Sequence, residues 1–438
     1  MLLNAADKAL WRLALPMIFS NITVPLLGLV DTAVIGHLDS PVYLGGVAVG
    51  ATATSFLFML LLFLRMSTTG LTAQAWGAKD PQRLARALVQ PLALALGAGV
   101  LIILLRLPLI DLALHIVGGS EAVLEQARRF LEIRWLSAPA SLANLVLLGW
   151  LLGVQYARAP VILLVVGNLL NIVLDLWLVM GLRMNVQGAA LATVTAEYAT
   201  LIIGLLMAKR VLTLRGVSLA MLKNAWRGDL RRLLALNRDI MLRSLLLQLC
   251  FGALTVFGAR LGSDIVAVNA VLMTMLTFTA YALDGFAYAV EAHSGQAYGA
   301  RDGSQLLEVW RAACRQSGMV ALAFALIYSL AGQYIIALLT SLPSLQQLAD
   351  RYLIWQTILP VVGVWCYLLD GMFIGATRGA EMRNSMAVAA AGFAVTLLTL
   401  PVLGNHGLWL ALAVFLALRC LSLALIWRRH WRRGTWFS

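Results

Sequence analysis

The chain has 438 residues, of which 61% are hydrophobic and only 12% are charged, with a mean hydropathy of +0.87. A soluble domain carries about 25% charged residues, so no soluble fold of this length would bury so much apolar surface. The net charge of +13 is concentrated in a mid-chain stretch and at the C-terminus, both flanking apolar runs. That distribution is typical of a membrane protein with cytoplasmic basic loops and argues against a nucleic-acid-binding function.

Twelve apolar runs, each about 20 residues long, predict an all-α polytopic membrane protein. The length of these runs favours helices over the ten-residue alternating strands of a membrane barrel. The predicted transmembrane helices lie at roughly 13–36, 42–65, 84–106, 125–150, 159–181, 187–208, 240–260, 265–290, 314–338, 350–375, 385–403 and 407–427.

One seven-residue segment occurs twice. The sequence QAWGAKD at 74–80 returns as QAYGARD at 296–302, and Gly153 returns as Gly375 at the same spacing. Each copy holds six helices, an even number, so both copies enter the membrane in the same orientation. The sequence therefore predicts two parallel six-helix lobes related by a pseudo-two-fold axis along the membrane normal, an arrangement typical of transporters.

The lobes are predicted at 1–208 and 240–427, with a cytoplasmic linker at 209–239 and a basic cytoplasmic tail at 428–438. The linker places Trp226 and several leucines among arginines. It is either an amphipathic helix on the inner membrane surface or a plain basic connection. Since positive charge collects in the even-numbered loops and both ends, we expect both termini in the cytoplasm and a bacterial inner-membrane location.

Ionisable residues inside the predicted spans are costly and therefore functional candidates. The first lobe has Asp31 in span 1 and Asp175 in span 5, where Asn168, Asn171 and Asp175 share one helical face. Two carboxylates that converge in a low-dielectric pocket do not both ionise easily. Such a pair would exchange a proton or bind Na⁺; alternatively, buried hydrogen bonds hold both acids and they serve packing only.

The second lobe contributes Asp284 and Glu291 in span 8 and Asp370 in span 10. A buried carboxylate near aromatic and methionine side chains would attract an organic cation, so these acids are candidates for substrate binding or a second coupling site. An interhelical hydrogen bond explains each of them equally well.

The sequence contains no pattern typical of ATP hydrolysis, membrane-enzyme catalysis or metal binding. The chain has no P-loop for ATP and no nucleophile–base pair, so neither an ATPase nor a membrane enzyme is expected. His293 and His406 are isolated, which argues against a metal site. No cofactor and no obligate protein partner are predicted, and the protein is expected to be a monomer.

Several segments together resemble the multidrug and toxic compound extrusion (MATE) transporters, with most likeness to their DNA-damage-inducible F branch. The resemblance spans the whole chain. Its residues are VDTAVIGHL at 30–38, NIVLD at 171–175, GAALAT at 188–193, LDG at 369–371 and TRG at 377–379.

The resemblance implies a cation site in the first lobe, formed by Asp31, Asn171, Asp175 and Thr193, which takes H⁺ or Na⁺. It also implies that Pro16 is the point at which helix 1 bends when that site is protonated. A proline near a helix start is otherwise simply tolerated.

The resemblance extends to other polar residues. Asn144 corresponds to a polar position in the first-lobe cavity, and Asp370 to a helix-10 acid used for coupling in other branches. Glu291 lies beside the second copy of the repeated segment, whereas Asp284 has no assigned counterpart.

The expected function is a secondary antiporter that exports amphipathic, often cationic, organic compounds in exchange for H⁺, or alternatively Na⁺, by alternating access. The main alternative is a flippase for lipids or lipid-linked precursors, which requires a cationic cluster for phosphate. Intramembrane acids and the scarcity of arginine within the predicted spans argue against that alternative. A polytopic membrane enzyme would need a His/Asp cluster that is absent from the sequence pattern, and a channel would not require the duplication.

Overall fold

The computed structural model describes residues 5–36, 38, 40–228 and 230–437, without the side chains of residues 23–33, 36 and 41. Within these residues every regular element is helical. The first ten helices are α1 (Ala5–Gly36), α2 (Pro41–Leu60), α3 (Phe63–Gly77), α4 (Pro81–Leu104), α5 (Arg106–Val117), α6 (Glu121–Arg134), α7 (Ala138–Gly153), α8 (Arg158–Asp175), α9 (Asn185–Leu214) and α10 (Leu219–Asn224).

The remaining helices begin within the basic mid-chain stretch. They are α11 (Leu230–Leu261), α12 (Ser263–Ala300), α13 (Gly303–Leu339), α14 (Pro343–Gly375), α15 (Gly379–Thr396), α16 (Leu400–Leu403) and α17 (Asn405–Arg433). Eleven helical stretches among the described residues are long and apolar enough to cross a membrane. With the 32-residue helix α1, which exceeds the roughly 20 residues that a span needs, the predicted all-α polytopic fold is confirmed.

Several spans are interrupted helices. The predicted second span is broken by a turn at Leu61–Leu62, between α2 and α3. The fourth span passes from α6 to α7 through a 3₁₀ turn at Trp135–Ser137. Helix α8 ends in a π-helical segment, Leu176–Gly181. Hydropathy registers none of these breaks, because the residues at each break are themselves mostly apolar.

The repeated segment forms the same helix–turn–helix in both halves. Lys79 and Arg301 occupy equivalent positions and both have a φ of +54°. The following aspartates then cap the next helices: Asp80 Oδ1 accepts from the Gln82 amide at 3.1 Å, and Asp302 Oδ1 accepts from the Gln305 amide at 3.1 Å. The duplication is thus visible as repeated capping chemistry.

The repeat also governs helix packing. A Cβ on Gly149 of α7 would lie 2.6 Å from the Arg65 carbonyl oxygen of α3. A Cβ on Gly371 of α14 would lie 2.7 Å from the Ala287 carbonyl oxygen of α12. Both partners in each crossing are displaced by the same 222 residues, so two equivalent pairs of helices cross at backbone contact, as small residues allow in membranes.

The chain divides into two compact units. Unit N comprises Ile22–Leu233, and unit C comprises the chain up to Asn21 together with the residues from Leu234 onwards. The first part of α1 therefore packs within unit C, where a Cβ on Gly285 of α12 would meet Ile18 and the Ala14 carbonyl oxygen. The six-helix lobes and the linker boundaries remain predictions of topology.

The end of the chain is folded onto unit C. Helix α17 continues to Arg433, and Trp436 beyond it is only 2% exposed. The Trp436 ring packs edge-on against Phe373, with 5.2 Å between ring centroids, and Arg378 donates from Nη2 to the Trp436 carbonyl at 2.7 Å. The segment predicted as a basic tail is thus a helix end followed by a buried aromatic anchor.

Candidate functional site

The polar face of α8 is buried in unit N. Asn171 is 3% exposed and Asp175 is 1% exposed, whereas Val173 and Trp177 on the same helix are 60% and 58% exposed. A helix in water would present the opposite pattern, so this arrangement fits a lipid-facing apolar side and a protein-facing polar side. The Asn171 Oδ1 atom is buried and receives no hydrogen bond from any described residue, which leaves it able to bind a cation.

A π-helical segment begins directly after Asp175. Helix α9 packs tightly against it, since a Cβ on Gly188 would lie 3.1 Å from the Leu178 carbonyl oxygen. Single π turns within helices are frequent at functional sites. Thr193 lies on α9, half-buried, and its hydroxyl donates to the Ala189 carbonyl at 3.2 Å. Because the Thr193 hydroxyl uses its hydrogen in that bond, its oxygen lone pairs take no part in it.

Two predicted elements of this site lie on α1. Asp31 falls within the helix, but the structure does not describe its side chain. The structure therefore does not describe the distance between the Asp31 and Asp175 carboxylates. Pro16 is twelve residues into α1, so the explanation that it marks a helix start is wrong. A proline has no amide hydrogen, and the Arg12 carbonyl therefore lacks its usual helical donor. This is a point of weakness in an otherwise continuous helix.

Asn144 is joined to an acid that the sequence analysis missed. Its Nδ2 donates to Glu197 Oε2 at 3.0 Å and to the Glu197 carbonyl at 3.1 Å. Arg134 approaches the same carboxylate, with 4.0 Å between Nη2 and Oε1. Glu197 is an ionisable residue within the predicted span 187–208, and that alone should have marked it as a candidate.

In unit C, Asp370 is held between two arginines. Its Oδ2 accepts from Arg243 Nη2 at 2.6 Å and also from Arg419. Asp370, Arg243 and Arg419 are 7%, 5% and 4% exposed, so the whole group is buried. Arg243 and Arg419 lie within the predicted spans 240–260 and 407–427, where the sequence pattern indicated few arginines. A carboxylate that is already paired with two guanidinium groups is poorly suited to bind a further cation.

The other two acids of unit C lie seven residues apart on α12. Asp284 is half-buried and close enough to Arg419 to interact with it electrostatically. Glu291 is 2% exposed and lies at the crossing with α14, where its carbonyl oxygen would be 2.8 Å from a Cβ on Gly375. The structure thus groups Asp284 with Asp370 and the two arginines, and places Glu291 at a helix crossing.

The two histidines singled out in the sequence have separate environments. His293 is buried, with Nε2 3.2 Å from the Ala9 carbonyl oxygen. His406 Nδ1 accepts from Trp355 Nε1 at 3.0 Å. Across the part of the chain that the structure describes, no three His, Cys, Asp or Glu side chains are grouped to hold a metal ion.

The sequence is similar to those of several known proteins. The chain is 87% identical over 436 residues to DNA damage-inducible protein F of Escherichia coli strain K12, covering 100% of this chain and 95% of that protein. It is 23% identical to a probable multidrug resistance protein NorM of Acinetobacter baylyi, over 95% and 94% of the two chains.

Solved structures share the fold. A MOP superfamily transporter from Pyrococcus furiosus matches with a TM-score of 0.85 and 23% identity, over 99% of this chain and 97% of that one. A structure described as MATE in the bent conformation also matches at 0.85 and 23%, over 99% and 96%. The MatE family model matches residues 16–177 and 240–403. Because those two segments cover most of both halves, the chain belongs to the MatE family of transporters, in the branch of DNA damage-inducible protein F.

Proposed function

We propose that this protein is a secondary active antiporter that exports amphipathic, often cationic, organic compounds in exchange for H⁺ by alternating access. Relatives across most of the chain's length include proteins named as probable multidrug resistance proteins. The observation that carries the proposal is the buried face of α8, where Asp175 and Asn171 are almost fully withdrawn from solvent.

The chemistry of that face suits proton exchange. A carboxylate within a low-dielectric interior is costly when charged, and proton binding removes that charge. We assign the second carboxylate to Asp31 of α1, as the resemblance to the MATE transporters implies. Na⁺ is the alternative ion, for which the Asn171 amide oxygen and the Thr193 hydroxyl would complete an oxygen shell around the two acids.

Coupling requires that the ion and the substrate bind differently to two conformations. Helix α1 links the two requirements, because it carries both Asp31 and the interior Pro16. Protonation of the acids would favour one shape of α1 and the charged form another. Pro16 is where a change in shape costs least, since the helical hydrogen bond to the Arg12 carbonyl is already missing.

The acids of unit C receive different proposed roles. Asp370 is neutralised by Arg243 and Arg419, so we assign it to holding α14 between α11 and α17 rather than to ion coupling. Asp284 is half-buried and is the better candidate to attract a cationic substrate. Asn144 and Glu197 form a further polar pair within unit N that would line a substrate route.

The cellular setting follows from charge and hydropathy. We propose a bacterial inner-membrane location with both termini in the cytoplasm, supported by the basic loops and the arginine-rich end of α17. A monomer suffices, because the duplicated halves supply both lobes of an alternating-access transporter.

A lipid or lipid-linked precursor flippase is the second candidate, and one observation favours it. The argument from scarce arginine in the spans does not hold for α11 and α17, which bury Arg243 and Arg419. Two buried guanidinium groups would suit an anionic headgroup if Asp370 released them.

Transport in proteoliposomes separates the two candidates. The purified chain is reconstituted with a pH-sensitive dye inside and an imposed proton gradient, and ethidium is added outside. Substrate-dependent proton flux supports the antiporter. The flippase would be favoured by two results together. The proton flux would not change with any tested cation, and a membrane-impermeant quencher would extinguish the fluorescence of a headgroup-labelled lipid faster than in protein-free liposomes.

A further inference from the structure

A small cavity lies at the beginning of α4 in unit N, away from the buried face of α8. Its volume is about 70 Å³, several times the ~10–15 Å³ that a single water needs. Arg83, Arg86 and Gln90 line it from α4, and Arg232 and Leu233 line it from α11. The cavity thus combines three guanidinium groups in one place.

The segment before α11 packs against two residues that line the cavity. Gln90 Nε2 donates to the Trp226 carbonyl at 3.3 Å, and Ala225 beside it is fully buried. Gly228 has a φ of +134°, and a Cβ there would lie 2.6 Å from Arg86 Nε. Only glycine permits this close approach in this backbone conformation. The chain is therefore built to cover Arg86 with backbone.

The charges of the cavity are unbalanced. Arg83 is close enough to Arg86 and to Arg232 for each of them to repel it. Asp80 caps α4 and interacts with Arg83, and a second acid, Asp229, lies outside the described residues. Three arginines against two acids leave a net positive charge even when both acids are counted. An anion would relieve the repulsion.

We propose that this cavity binds a phosphate group, with an acidic phospholipid of the inner leaflet as its source. Guanidinium groups recognise phosphate through charge-assisted, often bidentate hydrogen bonds. Basic pockets between transmembrane helices on the cytoplasmic side bind such headgroups. The covering segment also presents apolar side chains to its surroundings: Leu219, Trp226 and Leu230 are 77%, 63% and 50% exposed. Phosphate recognition beside exposed apolar side chains fits a lipid bound at the membrane surface.

The test is thermal unfolding of the purified full-length chain in neutral detergent, followed by tryptophan fluorescence. Phosphatidylglycerol, phosphatidylcholine and inorganic phosphate are titrated separately. The variants are Arg86→Gln, Arg232→Gln and the double variant. Arg158→Gln replaces an exposed arginine at the start of α8 and is the matched control. Arg232 is itself exposed, so Arg232→Gln keeps the test valid if Arg86→Gln fails to fold.

Phosphatidylglycerol is expected to raise the melting temperature of the wild type and the control, and phosphatidylcholine is not. Each pocket substitution should weaken the apparent affinity about tenfold, which is the scale of one charge-assisted bond. The same arginine-dependent shift with inorganic phosphate would keep the phosphate site and make its ligand soluble. A shift with phosphatidylglycerol that the double variant retains in full, or no shift with either phosphate source, would overturn the proposal. The outcome does not depend on which substrate the protein exports.

Discussion

Two buried aspartates illustrate how neighbours decide what a charged residue does. Asp175 lies beside Asn171 on a helix whose other side is apolar and exposed. Asp370 lies between Arg243 and Arg419 on three converging helices. Both are aspartates in predicted spans, so hydropathy alone makes each of them a functional candidate. The arginines come from helices more than 45 residues away in the chain, and one-sequence patterns carry no information about such pairings.

The role assigned to Asp370 predicts an asymmetry between two substitutions. Asp370→Asn would leave two buried arginines without their shared carboxylate, whereas Arg243→Gln would leave one neutral pair. Removal of one partner from a buried ion pair costs about 3–5 kcal/mol. We therefore expect Asp370→Asn to lower the melting temperature in detergent well below that of Arg243→Gln. An Asp370→Asn protein that melts like wild type but no longer transports would instead make Asp370 a coupling residue.

At the scale of helices, the sequence predicts what depends on local pattern. The spans, the duplication and the buried face of α8 all follow from hydropathy or periodicity. The break at Leu61–Leu62, the early start of α11 at Leu230 and the docking of Trp436 depend on tertiary contacts instead. Glu197 is different, because its position within the predicted span 187–208 is by itself enough to mark it as a candidate.

The close helix crossings predict a matched set of glycine substitutions. Gly149→Ala and Gly371→Ala should each lower the melting temperature, because the new methyl group would press on a carbonyl oxygen at under 3 Å. Gly97→Ala and Gly318→Ala lie in helices with nothing within 4 Å of the added carbon, and should leave stability unchanged or raise it by about 0.5–1 kcal/mol. Equal effects in the four variants would show that these crossings are not tightly packed.

The end of the chain makes a second prediction at this scale. Trp436→Ala should destabilise unit C, since burial of a large aromatic ring typically contributes about 3–5 kcal/mol. Arg378 would also lose its stacking partner, now 4.8 Å from the ring centroid. Tyr334→Ala, at a side chain that is 75% exposed, provides the control. Thermal unfolding of the two variants decides the matter: a Trp436→Ala protein as stable as Tyr334→Ala would mean that the end of the chain does not anchor there.

At the scale of the whole molecule, charge distribution predicts orientation. Ser263 begins α12 on the predicted outer side, and Ser304 follows the second repeated segment on the predicted inner side; both are exposed. In a background lacking the four native cysteines, we expect a membrane-impermeant maleimide to label Ser263→Cys in intact spheroplasts. Ser304→Cys should react only after permeabilisation. The reverse pattern would invert the topology and place both termini outside.

The central claim is that the protein exchanges protons for organic cations through the carboxylates of unit N. The most direct test is dye-reported collapse of the proton gradient in energised inside-out vesicles on addition of ethidium. We expect collapse with wild type and with Asp111→Asn, which changes an exposed acid paired with Arg128. Asp31→Asn and Asp175→Asn, at wild-type protein levels, should abolish it. Collapse that survives both substitutions would contradict the claim and move the coupling to the acids of unit C.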